Sequence, residues 1–193
     1  GPPLFQTEVD PNFTKELLEE GRKLDFKKDG WSHKLAGNLK YGKSYHYKQD
    51  YVLKAEPYLK TYAERFFNGI INQNNGSPHL VNSLLAKQII KEGSDESQLK
   101  LDTLWINFSQ KHDYNPSHYH AGVLSFVIFV KVPPEIFTDN AISNTKQAGK
   151  IIFSYGDNIS EIHGSDYVVE PYENLMFIFP AKLKHFVPPY WVD

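Results

Sequence analysis

The chain has 193 residues, of which 40% are hydrophobic and 15% aromatic, a balance that suits one globular domain and excludes disorder for the chain as a whole. Its net charge is −2, so the composition shows no electrostatic signature of binding to nucleic acid or to an anionic membrane. Cysteine is absent, which excludes disulfides and zinc–thiolate sites, and no apolar run approaches the roughly 20 residues of a membrane span, so we expect a cytoplasmic protein.

The first 98 residues are predicted to form a helical support region. Asn12 or Thr14 is expected to cap a first helix over residues 15–24. Apolar residues that recur every three to four positions predict a longer helix over Ala55–Asn72 and a third over Leu80–Lys91.

From residue 99 onward the hydrophobic pattern becomes that of strands, each bounded by glycine, proline, asparagine or aspartate. The predicted strands are Leu101–Gln110, Val123–Val132, Lys150–Tyr155, Tyr167–Val169, Leu175–Phe179 and His185–Val187. Many short strands after a helical region predict a mostly β fold, a double-sheet β-roll (jelly roll) flanked by α-helices. We expect a single domain over residues 1–193, with residues 99–193 as the β-roll core.

Three histidines are the candidate metal ligands. His118 and His120 lie two residues apart, so in an extended segment both imidazoles project to one face, and His185 stands in a short apolar strand. Imidazole suits iron, zinc, copper or nickel. The His-x-His pair alone is a weak signal, and His185 alone also fits a buried histidine that donates to a backbone carbonyl. The other five histidines, His33, His46, His79, His112 and His163, are predicted to lie at the surface.

The order and spacing of these residues resemble the small Fe(II)/2-oxoglutarate oxygenases of the prolyl-hydroxylase-like superfamily, most closely its bacterial and phage branch of uncharacterised members. The segments that carry the resemblance are residues 105–107, 115–120, 124–133, 149–153, 169–171 and 175–180, followed by His185. The resemblance covers about residues 100–190. It implies a double-stranded β-helix that holds Fe(II) at one mouth and uses 2-oxoglutarate as cosubstrate.

The resemblance has one departure among the ligands. The family usually supplies a carboxylate two residues after the first histidine, and here that position is His120. We predict His118, His120 and His185 as the metal ligands and catalytic residues. Asp113 is an alternative source of the carboxylate, although its neighbour His112 is adjacent in sequence and the pair lacks same-face spacing. Three-histidine sites also occur in some cupin dioxygenases, which need no 2-oxoglutarate.

The resemblance also implies a basic residue for the far carboxylate of 2-oxoglutarate, on a strand about ten residues beyond the distal histidine. The chain stops at Asp193, eight residues after His185, so either that final strand is missing or another group substitutes. Lys131 shares strand parity with Ser125, so it either points into the barrel and binds the cosubstrate or is a solvated lysine at the end of the strand. Asn107 and Ser125 are further candidates for cofactor binding, as polar members of an apolar inner wall.

The sequence therefore predicts a 2-oxoglutarate-dependent dioxygenase, a hydroxylase that couples oxidative decarboxylation of 2-oxoglutarate to oxidation of a C–H bond. The substrate is expected to be a protein side chain or a small molecule, with no nucleic acid and no membrane as partner. Two alternatives stay open at this point: a three-histidine cupin-type dioxygenase without 2-oxoglutarate, and a non-catalytic β-roll binding module.

Overall fold

The structure, a computed structural model, describes residues 4–35, 39–73, 77–90, 98–141, 146–156 and 165–192. It divides into two compact units, one formed by residues 1–47 and 105–193 and the other by residues 48–104. Of the predicted surface histidines, His163 lies outside the described residues. None of the helices in the described ranges is long and apolar enough to cross a membrane.

Within the described residues the chain forms four α-helices and two short 3₁₀ helices. The α-helices are α1 (Pro11–Arg22), α2 (Phe26–Asp29), α3 (Gln49–Gln73) and α4 (Pro78–Ala86). The 3₁₀ helices are Ser32–Lys34 and Pro134–Ala141.

Helix α1 begins earlier than predicted, and its predicted caps are wrong. Asp10 is the N-cap, and its side chain accepts a hydrogen bond of 2.8 Å from the backbone N–H of Asn12. Pro11 occupies the first turn, where its missing N–H costs nothing and its fixed φ suits the helix. Asn12 and Thr14 therefore lie inside the helix, which ends at Arg22.

Helix α3 extends six residues further toward the N-terminus than predicted and contains Pro57. Proline inside a helix removes one backbone hydrogen bond. Pro57 is exposed, and Leu53, whose carbonyl would have accepted that bond, is 59% exposed. Water can satisfy the freed carbonyl, so the helix continues on both sides of the proline.

Nine strands are described, all in the unit that contains both termini. They are β1 (Phe5–Glu8), β2 (Lys43–His46), β3 (Trp105–Phe108), β4 (Asn115–His118), β5 (Leu124–Ile128), β6 (Ile151–Ser154), β7 (Asp166–Val169), β8 (Leu175–Pro180) and β9 (Lys184–Val187). They form three antiparallel sheets with strand orders β1-β8-β5, β2-β3 and β4-β9-β6-β7. The predicted mostly β fold with helices is confirmed, whereas several strands are shorter than predicted, with β3 limited to four residues and β5 ending at Ile128.

The core of this unit lies between the β8 face of one sheet and the β6 face of another. Leu175, Phe177 and Phe179 alternate along β8, so they share one face and pack with Ile151 and Phe153 of β6. All of these side chains are 3% exposed or less. The packing of two sheets face to face fixes β6, and with it the neighbouring strand β9 that carries His185.

Candidate metal centre

Two strands and a turn bring the predicted ligands together. His118 ends β4 and pairs directly with His185 on β9. His120 follows in the turn between β4 and β5, where its backbone N–H donates to Ala181 O at 2.8 Å and Ala181 N–H donates to Val123 O at 3.0 Å. These two bonds fix the turn that carries His120 to the turn between β8 and β9.

The three imidazoles form one compact cluster. Each offers a ring nitrogen, and these nitrogens all lie within 4.8 Å of one another. It is the one group of three possible ligand side chains found in the part of the chain that the structure describes. The Nε2 atoms of His120 and His185 are 3.3 Å apart, which is less than twice an imidazole–metal bond of about 2.1 Å, so one ion can contact both.

Backbone carbonyls orient two of the rings in the same way. Nδ1 of His118 lies 2.6 Å from Pro116 O, and Nδ1 of His185 lies 3.0 Å from Leu183 O, in each case the carbonyl two residues earlier. When Nδ1–H donates to a carbonyl, Nε2 is left as the unprotonated nitrogen. Metal-binding histidines are typically held by such a bond from the other ring nitrogen.

Burial keeps two of the imidazoles neutral. The pKa of His120 is lowered from 6.5 to about 4, mainly by burial and to a smaller extent by the nearby His118. Burial likewise lowers the pKa of His185 to about 4, with smaller contributions from His118 and His120, against the bond to Leu183 O, which raises it. Neutral imidazole is the form that binds a metal ion, so the site does not need to release protons from these rings near pH 7.

Aromatic side chains pack against two of the three imidazoles. The ring of His185 lies 5.0 Å from that of Phe179 and 6.0 Å from that of Phe153, measured between centroids. The ring of Trp105 lies 5.6 Å from that of His120. Trp105 was predicted only as a strand residue, and its contact with His120 depends on the register of β3, which sequence periodicity does not give.

The alternative carboxylate is engaged elsewhere. Asp113 is 4% exposed, and its oxygens accept three hydrogen bonds of 2.8 Å from the backbone N–H groups of Tyr41, Gly42 and Gln110. It is absent from the cluster of ligand atoms found among the described residues. Asp113 therefore joins the segment before β2 to the loop after β3.

The three predicted cofactor-binding residues lie in different settings. Ser125 is half-buried and faces Phe179 across β5 and β8, so it lies on the same face of the sheet as Phe179. Asn107 is exposed and its Oδ1 accepts a bond of 2.7 Å from the fully buried Ser44 hydroxyl. Lys131 is exposed and lies beyond the end of β5, which favours the solvated strand-end lysine over a lysine that points into the barrel. Cofactor binding by these residues stays a prediction.

The remaining histidines of the described residues are not part of the cluster of ligand atoms. His33, His79 and His112 are exposed, as predicted. His46 is half-buried instead, because its ring packs 4.5 Å from that of Trp31 and its Nδ1 lies 2.5 Å from Tyr47 O.

An antiparallel β fold that brings three metal-binding side chains to one point is the arrangement of mononuclear non-haem iron oxygenases, in which two histidines and one carboxylate are the usual ligands. Residues 103–193 match the family described as "putative 2OG-Fe(II) oxygenase". The structure is similar to the crystal structure of a Pseudomonas putida prolyl-4-hydroxylase, with a TM-score of 0.52 and 11% identity over 99% of this chain and 87% of that one. Among curated proteins, none matches this chain in sequence.

The family resemblance predicted from the sequence is thereby confirmed. The match over residues 103–193 indicates a 2-oxoglutarate/Fe(II)-dependent oxygenase, and the fold of the chain is similar to that of a prolyl hydroxylase. Its cofactors are Fe(II) and 2-oxoglutarate, and the three-histidine cluster fits an iron ion. The alternatives of a non-catalytic module and of a dioxygenase without 2-oxoglutarate are set aside.

Proposed function

We propose that this protein is a hydroxylase in which His118, His120 and His185 hold the iron. The observation that carries the proposal is the convergence of three ring nitrogens within 4.8 Å, two of them 3.3 Å apart. When bound, Fe(II) and 2-oxoglutarate supply oxygen activation coupled to oxidative decarboxylation of the 2-oxo acid. A C–H bond of the substrate is hydroxylated in the same cycle.

The residues around the cluster have distinct tasks. The carbonyls of Pro116 and Leu183 hold two rings in the tautomer that leaves Nε2 free. Phe153 and Phe179 pack against His185 and keep water from its inner side. The imidazoles add no negative charge, so the ion keeps its full positive charge for an anionic cosubstrate.

We propose a peptide side chain or a small molecule as the substrate. The similarity to a prolyl-4-hydroxylase supports the first class. We also propose that the sheets containing β8 and β6, which pack face to face, are halves of one double-stranded β-helix.

Succinate release measures this function directly. Anaerobically prepared enzyme is supplied with Fe(II), 2-oxoglutarate and oxygen, together with either proline-containing peptides or a small-molecule library. We expect succinate formation that requires both cofactors, and a mass gain of one oxygen atom in the substrate. His185→Ala is expected to abolish both signals, whereas succinate formation unaffected by this substitution would contradict the assigned site.

A further inference from the structure

Asn115 carries a polar atom in an unusual setting. Its side-chain Oδ1 is buried and has no hydrogen-bond partner among the described residues. Nearly all buried polar atoms in folded proteins are paired, because an unpaired one destabilises the fold. A ligand that hydrogen-bonds to this side chain would remove that penalty.

The register of β4 and β9 directs this side chain toward the metal cluster. Asn115 lies opposite Val187 and His118 lies opposite His185, with a register shift between the two pairs. Three residue steps along β4 therefore match two steps along β9, which is the signature of a bulge. Opposed residues project to one face, as do residues two apart on β9, so Asn115 shares the face of both histidines.

The distance along the strand suits a small dicarboxylate. Val187 lies two residues beyond His185, which is about 7 Å of strand. That is comparable to the length of an extended five-carbon diacid with one end near His185. A 2-oxo acid that binds at the histidine cluster can thus reach Asn115 with its other end.

The described residues around Asn115 offer no buried cation. Val187 packs against the apolar core formed by β6 and β8. The buried polar or charged side chains in the described ranges are Thr14, Ser44, Asp113 and His185, with neither lysine nor arginine among them. The carboxamide of Asn115 can supply two neutral N–H donors to an anion on this inner face.

We propose that Asn115 binds the far carboxylate of 2-oxoglutarate, with its Nδ2–H donating to a carboxylate oxygen. A half-turn about the Cβ–Cγ bond exchanges Oδ1 and Nδ2 with almost no change in shape, so the buried position can present the donor. This assignment rests on the proposed iron site, because that site fixes the other end of the cosubstrate.

Calorimetric titration of the Co(II)-loaded protein without oxygen tests the assignment. The titrants are 2-oxoglutarate and 2-oxopentanoate, which has the same chain length but lacks the far carboxylate. We expect the wild type to bind 2-oxoglutarate roughly 10–100-fold more tightly, the usual range for a hydrogen bond to a charged group. Asn115→Leu should remove this preference and leave the affinity for 2-oxopentanoate nearly unchanged.

Asn115→Asp keeps the size of the side chain but replaces both donors by a negative charge, so it should weaken 2-oxoglutarate binding more than Asn115→Leu does. If the leucine variant does not fold, Asn115→Asp still tests the assignment of Asn115 to the far carboxylate. Ser117→Ala, an exposed position on the same strand, is the matched control and should bind both acids as the wild type does. A preference for 2-oxoglutarate that survives in Asn115→Asp would overturn the assignment.

Two failures are distinguishable. If the wild type takes up no Co(II), the proposed metal site is wrong. If it binds Co(II) and prefers 2-oxoglutarate, yet the Asn115 variants keep that preference, the metal site stands and only the role of Asn115 is wrong.

Discussion

Replacing His185 by alanine removes one of the three proposed ligands from the centre of the cluster. The side chain is 6% exposed, and its Nε2 faces that of His120 at 3.3 Å. Because the ring also packs on Phe179, the substitution leaves a cavity and destabilises the metal-free protein as well. The informative quantity is therefore the change in melting temperature caused by metal within each variant.

The expected size follows from binding linkage. At free Co(II) of 100 times the dissociation constant, one site stabilises the folded state by about 2.7 kcal/mol. For a chain of 193 residues this corresponds to an increase in melting temperature of about 5–11 °C. Loss of a residue that merely supports a ligand weakens metal binding by about 10–100-fold, so loss of a ligand should weaken it by about 100-fold or more. The stabilisation then falls to about 0.4 kcal/mol, or about 1–2 °C.

Differential scanning fluorimetry with and without Co(II) gives both values. His79→Ala is the matched control, since His79 is an exposed histidine on α4, and it should keep the full shift. A wild-type shift in His185→Ala would refute the reasoning, and so would loss of the shift in His79→Ala.

Four further predictions follow from the same structure. His120→Glu should still take up metal but weaken 2-oxoglutarate binding at least tenfold by calorimetry, because a carboxylate ligand reduces the charge of the centre. The metal-free protein should lose stability to urea as the pH falls from about 6.5 to 4, because His120 and His185 stay neutral when folded (pKa about 4) but gain protons when unfolded; a flat profile would contradict this. Phe153→Ala should cost about 3–5 kcal/mol in urea unfolding, and Phe26→Ala, at a ring that is 51% exposed, much less. Asp113→Asn should cost about 1–3 kcal/mol, since an amide accepts fewer of the three backbone bonds; an unchanged urea midpoint would exclude that role.

The sequence was informative where a local pattern determines the geometry. His118 and His120 are close because residues two apart in extended backbone share a face, and this needs no knowledge of the rest of the fold. Strand β8 was readable because Leu175–Pro180 is apolar on both faces, as a central strand must be. The start of α1 was missed, although Asp10 followed by Pro11 is itself a helix-start signal.

What the sequence could not give depends on contacts between distant segments. Lys131 is exposed because β5 ends at Ile128, whereas the prediction from strand parity assumed that the strand continues to Lys131. The role of Asp113 requires that Tyr41 and Gly42 lie beside it, about 70 residues away in the chain. The bulge that turns Asn115 toward His118 is set by the register with β9, and no periodicity within β4 reveals it.

The most direct test of the central claim is a crystal structure of the protein loaded with Fe(II) in the absence of oxygen, with the ion located by its anomalous signal. The account predicts a single peak about 2.0–2.2 Å from the ring nitrogens of His118, His120 and His185. An ion bound at any other place, or bound through the carboxylate of Asp113 in place of His120, would contradict it.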